Sequence, residues 1–311
     1  MFQSRLGQLL AYLAVRVSIC FVQTLRIETC SRLAAILARL CYDVLGIRRK
    51  VTDENLRLAL PNCTEDGRRT LGRLMWEHLF LLVAEVSLVH RKIHETNWRD
   101  YVEFKRVGEI ARLVLSDRPA LLVSAHFGNF ELAGYVFGMM GYPTTAVART
   151  LDNPYLAAWL DQFRGGTGQS MVPKKGGYEQ IVRVLSGGGT MSFLADQYAG
   201  SKGCWVDFFG RPASAHKAIA LLALEHDAPL VVGYARRKRR PLHYELGIQA
   251  VLDPREASES QASIAGLTQW YTHQLEAVIR TAPEQYWWLH RRWKDSRPPR
   301  RRPVQAPKLV A

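Results

Sequence analysis

The chain has 311 residues, 48% hydrophobic and 23% charged, a balance that fills one large domain or two ordinary ones and excludes a wholly disordered polymer. Lys and Arg number 42 against 28 Asp and Glu, for a net charge of +14, so an acidic partner is expected: nucleic acid, an anionic membrane, a phosphorylated substrate or an acidic carrier protein. The five cysteines are odd in number and include no CxxC pair, which argues against a disulfide framework or zinc site and for reduced thiols.

Residues 1–45 read as helical and apolar. Within them 6–22 (LGQLLAYLAVRVSICFV) falls a little short of a span of about 20 residues and carries Arg16 near its middle. The expectation is a helix at a membrane surface, with Arg5, Arg16 and Arg26 reaching headgroups. A core helix and a true span are the alternatives. Residues 46–62 predict a basic turn and a short amphipathic helix, capped by Asp53 and stopped by Pro61. A longer helix follows over 64–90, opened by Thr64, with Leu71, Met75, His78 and Leu82 on one face.

From 119 onward short apolar runs alternate with helical patterns. Strands are predicted over 119–124, 144–148, 171–173, 190–195, 229–235 and 242–251. Helices are predicted over 129–140, 154–163, 178–185, 217–226 and 262–280. The alternation implies an α/β fold: a mostly parallel sheet flanked by helices, with an N-terminal helical membrane-associating extension. Three regions are expected: an apolar anchor (1–45), the α/β domain (46–296) and a disordered basic tail (297–311) rich in Pro and Arg.

Sites in such sheets form beyond the carboxyl ends of strands. Residues 124–131 read SAHFGNFE: a buried strand ends, His126 follows, a Gly128-Asn129 turn comes next, and a helix starts with Glu131 in its first turn. Gly128 permits a sharp turn and a close substrate approach. Glu131 is favoured there by the helix dipole. A carboxylate on one imidazole nitrogen fixes the tautomer and leaves the other to take a proton from a hydroxyl. A structural histidine is the bland alternative, and spacing alone does not decide. H-x-x-x-x-E is not a zinc motif, so no metal is expected. The glycine clusters at 165–168 and 187–189 lack the Lys-Ser/Thr of a phosphate-binding loop. A nucleic-acid binder is the rival the charge permits, without any helix-turn-helix, zinc or RNP signature.

HFGNFE resembles the HX4(D/E) motif of glycerolipid acyltransferases, and looks most like the branch that acylates lipid A precursors. Other blocks follow in order from about 40 to 295: VTDENLRLALP at 51–61, Arg149 with Asn153-Pro154-Tyr155, Asp196-Gln197 followed by VDFFGRPA at 206–213, and WWLHRRWK at 287–294. The family's Thr after the Phe-Phe-Gly block is absent here. The resemblance implies an O-acyltransferase at the cytoplasmic face of the bacterial inner membrane. Its donor would be an acyl carrier protein thioester, with no cofactor, and its acceptor a phosphorylated glycolipid. His126 would be the base and Glu131 the group that orients it. Backbone amides of Gly128 and Asn129, or Arg149, would hold the oxyanion. Asp196 would cap a loop or hold Arg149, with Gln197 beside it in the cleft. Phe209, Gly210 and Arg211 would complete the substrate site. Acyl carrier protein, the anionic phospholipid surface and the acceptor are the partners so implied, and nucleic acid is not. A catalytically inactive membrane-surface scaffold of the same fold is a further alternative.

Overall fold

The computed structural model describes residues 4–114, 116–142 and 144–294. The expected basic tail at 297–311 lies outside them. Helix α1 spans Arg5–Thr24 and α2 spans Ile27–Ala38, and α2 runs on into a π-helical turn, Arg39–Val44. Helix α3 (Arg49–Ala59) ends before Pro61, whose ring disfavours helix at the residue before it. Asp53 is not its cap. The helix starts a turn earlier, after Arg48 at φ +55°, and Asp53 accepts instead from the Tyr42 hydroxyl. Helix α4 (Glu65–Lys92) is capped by Thr64, whose side chain accepts from Gly67 N.

The α/β body follows: strand β1 (Val102–Lys105), helix α5 (Val107–Val114), β2 (Ala120–Ser124), α6 (Phe130–Met139), β3 (Thr145–Ala148), α7 (Pro154–Gly165), β4 (Ser170–Pro173), α8 (Tyr178–Ser186), β5 (Thr190–Leu194), the hairpin β6 (Cys204–Phe208) and β7 (Arg211–Ala215), α9 (Ala218–Glu225), β8 (Leu230–Arg237), β9 (Tyr244–Leu252) and α10 (Ile264–Thr281). Seven strands form one sheet in the order β1-β9-β8-β2-β5-β3-β4. Every pairing is parallel except β8 with β9. The six strands expected from the sequence are all present, in a mostly parallel sheet flanked by helices. Strand β1 and the β6–β7 hairpin are additions.

The two faces of the sheet differ. Leu121, Val123 and Met191 point to one side and are fully buried in the main core. The alternate positions include several small residues, Ala120 and Ser124 on β2, Thr190 and Ser192 on β5, Ala146 and Ala148 on β3, beside Leu122 and Leu194. They sit beneath α6 and leave a cavity of about 370 Å³. Side chains alternate along a strand, so the fully buried residues close one side, and the small ones among those opposite leave room on the other.

Helix α1 has no buried residue. It lies on α4 and α7 through Gln23 Nε2 to Ser87 O (2.8 Å), Asn153 Nδ2 to Gln8 O (2.8 Å), and Arg16 stacked 5.6 Å over the Trp159 ring. Arg16 therefore packs on protein, unlike the exposed Arg5 and Arg26.

Candidate active site

Strands β2 and β5 pair in parallel with Ser124 opposite Leu194. Two residues beyond each lies a candidate site residue: His126 on one, Asp196 on the other. The register brings them face to face across seventy residues of sequence. Asp196 Oδ1 lies 2.8 Å from His126 Nδ1. Asp196 is fully buried at its side chain, and His126 is 13% exposed.

Burial pushes the Asp196 carboxyl up, but the His126 charge and hydrogen bonds outweigh it and hold it well below the carboxylate range. It is therefore an acceptor, so His126 Nδ1 carries the proton and Nε2 presents a lone pair. Burial pushes His126 down, yet the Asp196 charge, its hydrogen bond and the charge of Glu131 raise the imidazole above its ordinary value of 6.5. Among the described histidines whose pKa moves, His78, His90, His216 and His290 all move down, and His126 alone moves up.

Glu131 does not hydrogen-bond His126. It sits in the first turn of α6 and pairs with Arg164 of α7, through Arg164 Nε to Oε2 at 3.0 Å and Arg164 Nη2 to Oε1. The Nδ1 side of the imidazole is already occupied by Asp196, so Glu131 reaches the ring only through its charge. Glu131, Arg164, Phe130, Ser124 and Leu194 line the end of the cavity nearest His126. The opposite end reaches Ser116, Arg118, Gly188 and Gly189, below the amino ends of the strands.

Gln197 Nε2 lies 3.4 Å from His126 Nε2 and 3.2 Å from His290 Nε2, so its amide spans the two imidazoles as donor. Three rings meet at the mouth: His126 is 5.4 Å from Phe130 and 5.0 Å from Trp287 between centroids, and Phe130 is 5.7 Å from Trp287. The loop carrying Trp287 and His290 is tied back twice. Trp287 N donates to His126 O at 3.0 Å, and Asn55 Nδ2 donates to Trp288 O and His290 O at 2.7 and 2.5 Å.

Other expected residues take different parts. Gly128 has φ +58°, and a Cβ there would stand 1.8 Å from Ala235 O. Its missing side chain admits β8, not substrate. Its amide donates to Gln285 O and that of Asn129 to Ala235 O, at 3.0 and 2.9 Å, so neither is free for an oxyanion. Asn129 is fully buried; its Oδ1 caps α6 at Leu132 N and its Nδ2 donates to Tyr244 Oη. Arg149 is 78% exposed and pairs with Asp152, not with Asp196. Phe209 and Gly210, at φ +56° and +72°, are the two central residues of the β6–β7 hairpin. Positive φ at both positions is the I′ geometry that suits a two-residue hairpin. The Phe209 ring packs on Phe208 and Trp288 under Arg280, and Arg211 is exposed. This trio is a structural turn that the structure does not bring to His126.

Sequence reasoning did not place Phe130, Arg164 or Trp287 at the site. The aromatic doublet at 287–288 was the available signal, but nothing local says that the chain returns there to pair with His126.

A profile of the family described as bacterial lipid A biosynthesis acyltransferase matches residues 4–295. The chain is 28% identical over 270 residues to the lipid A biosynthesis lauroyltransferase of Escherichia coli (strain K12), covering 85% of this chain and 84% of that one. It is 27% identical over 252 residues to the palmitoleoyltransferase of the same organism, covering 79% of each. Over 183 residues, 57% of each chain, it is 27% identical to the phosphatidylinositol mannoside acyltransferase of Mycolicibacterium smegmatis.

Proposed function

Because the chain belongs to the bacterial lipid A biosynthesis acyltransferase family, and so is an O-acyltransferase, we propose that it moves a fatty acyl chain from an acyl thioester to a hydroxyl of a phosphorylated glycolipid. The names of its relatives support a lipid A-like acceptor. The observation that carries the reading is His126, with Nδ1 fixed on Asp196 and Nε2 left with its lone pair beside Gln197, next to an apolar cavity lined by its neighbours Ser124, Phe130 and Glu131.

The acceptor hydroxyl gives its proton to His126 Nε2 as its oxygen attacks the thioester carbonyl carbon. The carbonyl π pair moves onto oxygen and a tetrahedral oxyanion forms. Its collapse breaks the C–S bond, and the departing thiolate takes the proton back from the imidazolium. Asp196 stabilises that imidazolium by direct contact and Glu131 by charge. Positioned bases of this kind contribute about 10²–10⁴-fold. No serine elbow is present, so the acyl group passes directly from donor to acceptor.

The cavity beneath α6 suits the acyl chain. Its volume falls in the usual range of about 300–1,000 Å³ for small-molecule sites, and its lining is largely apolar. The acidic donor, acyl carrier protein, is favoured by basic residues just past the carboxyl ends of β3 and β4: Arg149, Lys174 and Lys175 are all exposed. That donor and the bare apolar surface of α1 support localisation at the cytoplasmic face of the inner membrane.

The test is to incubate purified protein with carrier-protein thioesters of several chain lengths and a bacterial lipid extract, and to read acylated products by mass spectrometry. Transfer is expected from the wild type and a loss of about 10²-fold or more from a folded His126→Ala variant. Equal rates for the two would overturn the assignment.

A further inference from the structure

An acyl-transfer site needs hydrogen-bond donors aimed at the oxygen that becomes negative. At this site the obvious donors are committed elsewhere. The amides of Gly128 and Asn129 serve Gln285 and Ala235, Arg149 is at the surface on Asp152, and Arg164 holds Glu131. The Trp287 indole is the exception. Its Nε1 is buried and has no hydrogen-bond acceptor among the described residues.

An unpaired buried N–H costs free energy and is uncommon in folded chains. Here the orphan is held in place with care. The backbone of Trp287 is bonded to the carbonyl of His126 at 3.0 Å. One neighbour of each residue, Phe127 and Tyr286, forms a β-bridge. Its ring stands 5.0 Å from the imidazole and stacks on His290 at 6.1 Å. Phe130, which touches both Trp287 and His126, lines the cavity mouth. Two other indoles, Trp76 and Trp293, also have unpaired buried Nε1 atoms, but neither ring contacts His126.

We propose that Trp287 Nε1–H is a donor to the tetrahedral oxyanion of the acyl transfer. This inference rests on the acyltransferase reading above. When the acceptor oxygen bonds to the thioester carbon and its proton goes to His126 Nε2, the former carbonyl oxygen takes the π pair and the indole N–H hydrogen-bonds to it. When the C–S bond breaks, the pair returns to the carbonyl and the indole is released unchanged. The ring that carries the donor stands 5.0 Å from the imidazole of the base.

A packing role and a donor role separate cleanly. Trp287→Phe keeps an aromatic ring on His290 and removes the N–H. Site-specific replacement of Trp287 by benzothienylalanine keeps the bicyclic shape and replaces N–H by sulfur, so it retains the packing if phenylalanine does not. Kinetics are measured with the acyl thioester and lipid acceptor that the wild type uses. The expected result for both variants is a kcat lower by about 10²–10³-fold, both KM values within about twofold, and an unmoved acid limb of the pH profile. A benzothienylalanine variant that keeps kcat within about threefold overturns the inference while leaving the acyltransferase reading intact. A wild type that turns over no acyl thioester overturns both.

Discussion

Two carboxylates lie near one imidazole, and they are not equivalent. Asp196 is buried and touches Nδ1, while Glu131 is neutralised by Arg164 and acts at a distance. The proton on Nδ1 and the raised pKa of His126 therefore depend chiefly on Asp196. In the proposed reaction the base is active when neutral, so activity is expected to fall as pH drops through the folded pKa, which is raised from 6.5. Asp196→Asn removes the charge and the acceptor. The acid limb of kcat/KM should then move down, and kcat should fall by about 10²–10⁴-fold because the lone pair is no longer held at Nε2. Glu131→Gln should move the limb in the same direction by less. A pH–rate series on the three proteins checks this, and an Asp196→Asn limb that stays above 6.5 would show that another group sets the pKa. The strand, turn and helix around His126 were legible because strand end, Gly128 and helix cap are all local signals. Asp196 was legible as a strand end, but its partner was not: pairing it with His126 requires knowing that β5 lies beside β2, and one sequence does not state strand order.

The turn that carries His126 rests on helix α4. Glu85 is fully buried and pairs with Arg237 of β8, with Arg237 Nη2 to Oε2 at 2.5 Å. It also accepts from Leu242 N and the Tyr244 hydroxyl. Arg237 Nη1 donates to His78 Nδ1 at 2.7 Å, and His78 Nε2 donates to Gly128 O at 3.1 Å. Burial and the Arg237 charge keep His78 neutral, as that relay requires. Removing one member leaves an uncompensated buried charge, so Glu85→Ala should cost about 3–5 kcal/mol, and the double change Glu85→Leu with Arg237→Met should recover most of it. Thermal and urea unfolding of the single and double variants check this, and a single variant within about 1 kcal/mol of wild type would deny the network its role. The helical register of α4 was readable from its apolar face, but Glu85 was not, because a buried acid looks like a solvated one until its arginine is found. Strand β1 was missed for a related reason. It has four residues with one fully buried, too short a pattern for alternation to show.

The sheet face beneath α6 makes a second prediction. Ala146 and Ser192 are register partners on β3 and β5, and both line the cavity. Ser192→Leu fills the slot from its floor. Preference among thioesters of graded chain length should shift toward shorter acyl groups, by about tenfold or more between lengths that straddle the obstruction. Competition assays read by mass spectrometry check it, and an unchanged length profile would place the acyl chain elsewhere.

Among the described residues, large apolar side chains stand bare on α1 and the segments that follow it. On α1, Leu6, Leu10, Val17 and Phe21 are 57–67% exposed, and on the neighbouring turns Ile36, Val44 and Leu45 are 60–74% exposed. Patches of this kind on soluble monomers are small, and larger ones mark partners or membranes. Exposed Arg5, Arg26, Arg32 and Arg39 flank it, the pattern of a helix seated among anionic headgroups. Helix α1 lies against α7, and α7 carries Arg164 at the cavity mouth. Under the proposed function, docking this surface on a bilayer would bring that end of the cavity near the lipid, and neither acyl chain nor glycolipid would need to cross water. Binding should have two separable parts. Salt weakens the arginine contribution, since exposed charges are screened beyond about 10 Å at 0.1 M, and it leaves apolar insertion in place. Burying a leucine contributes about 1.5–3 kcal/mol, so Leu10→Asp with Val17→Asp should lower partitioning by on the order of 10²-fold at any salt. Flotation with vesicles of mixed neutral and anionic lipid, with and without high salt, measures both terms. The same double variant should keep its rate on detergent-dispersed acceptor and lose it on vesicles. Equal loss in detergent would mean that α1 supports the site itself through α7, not the site's position at the membrane.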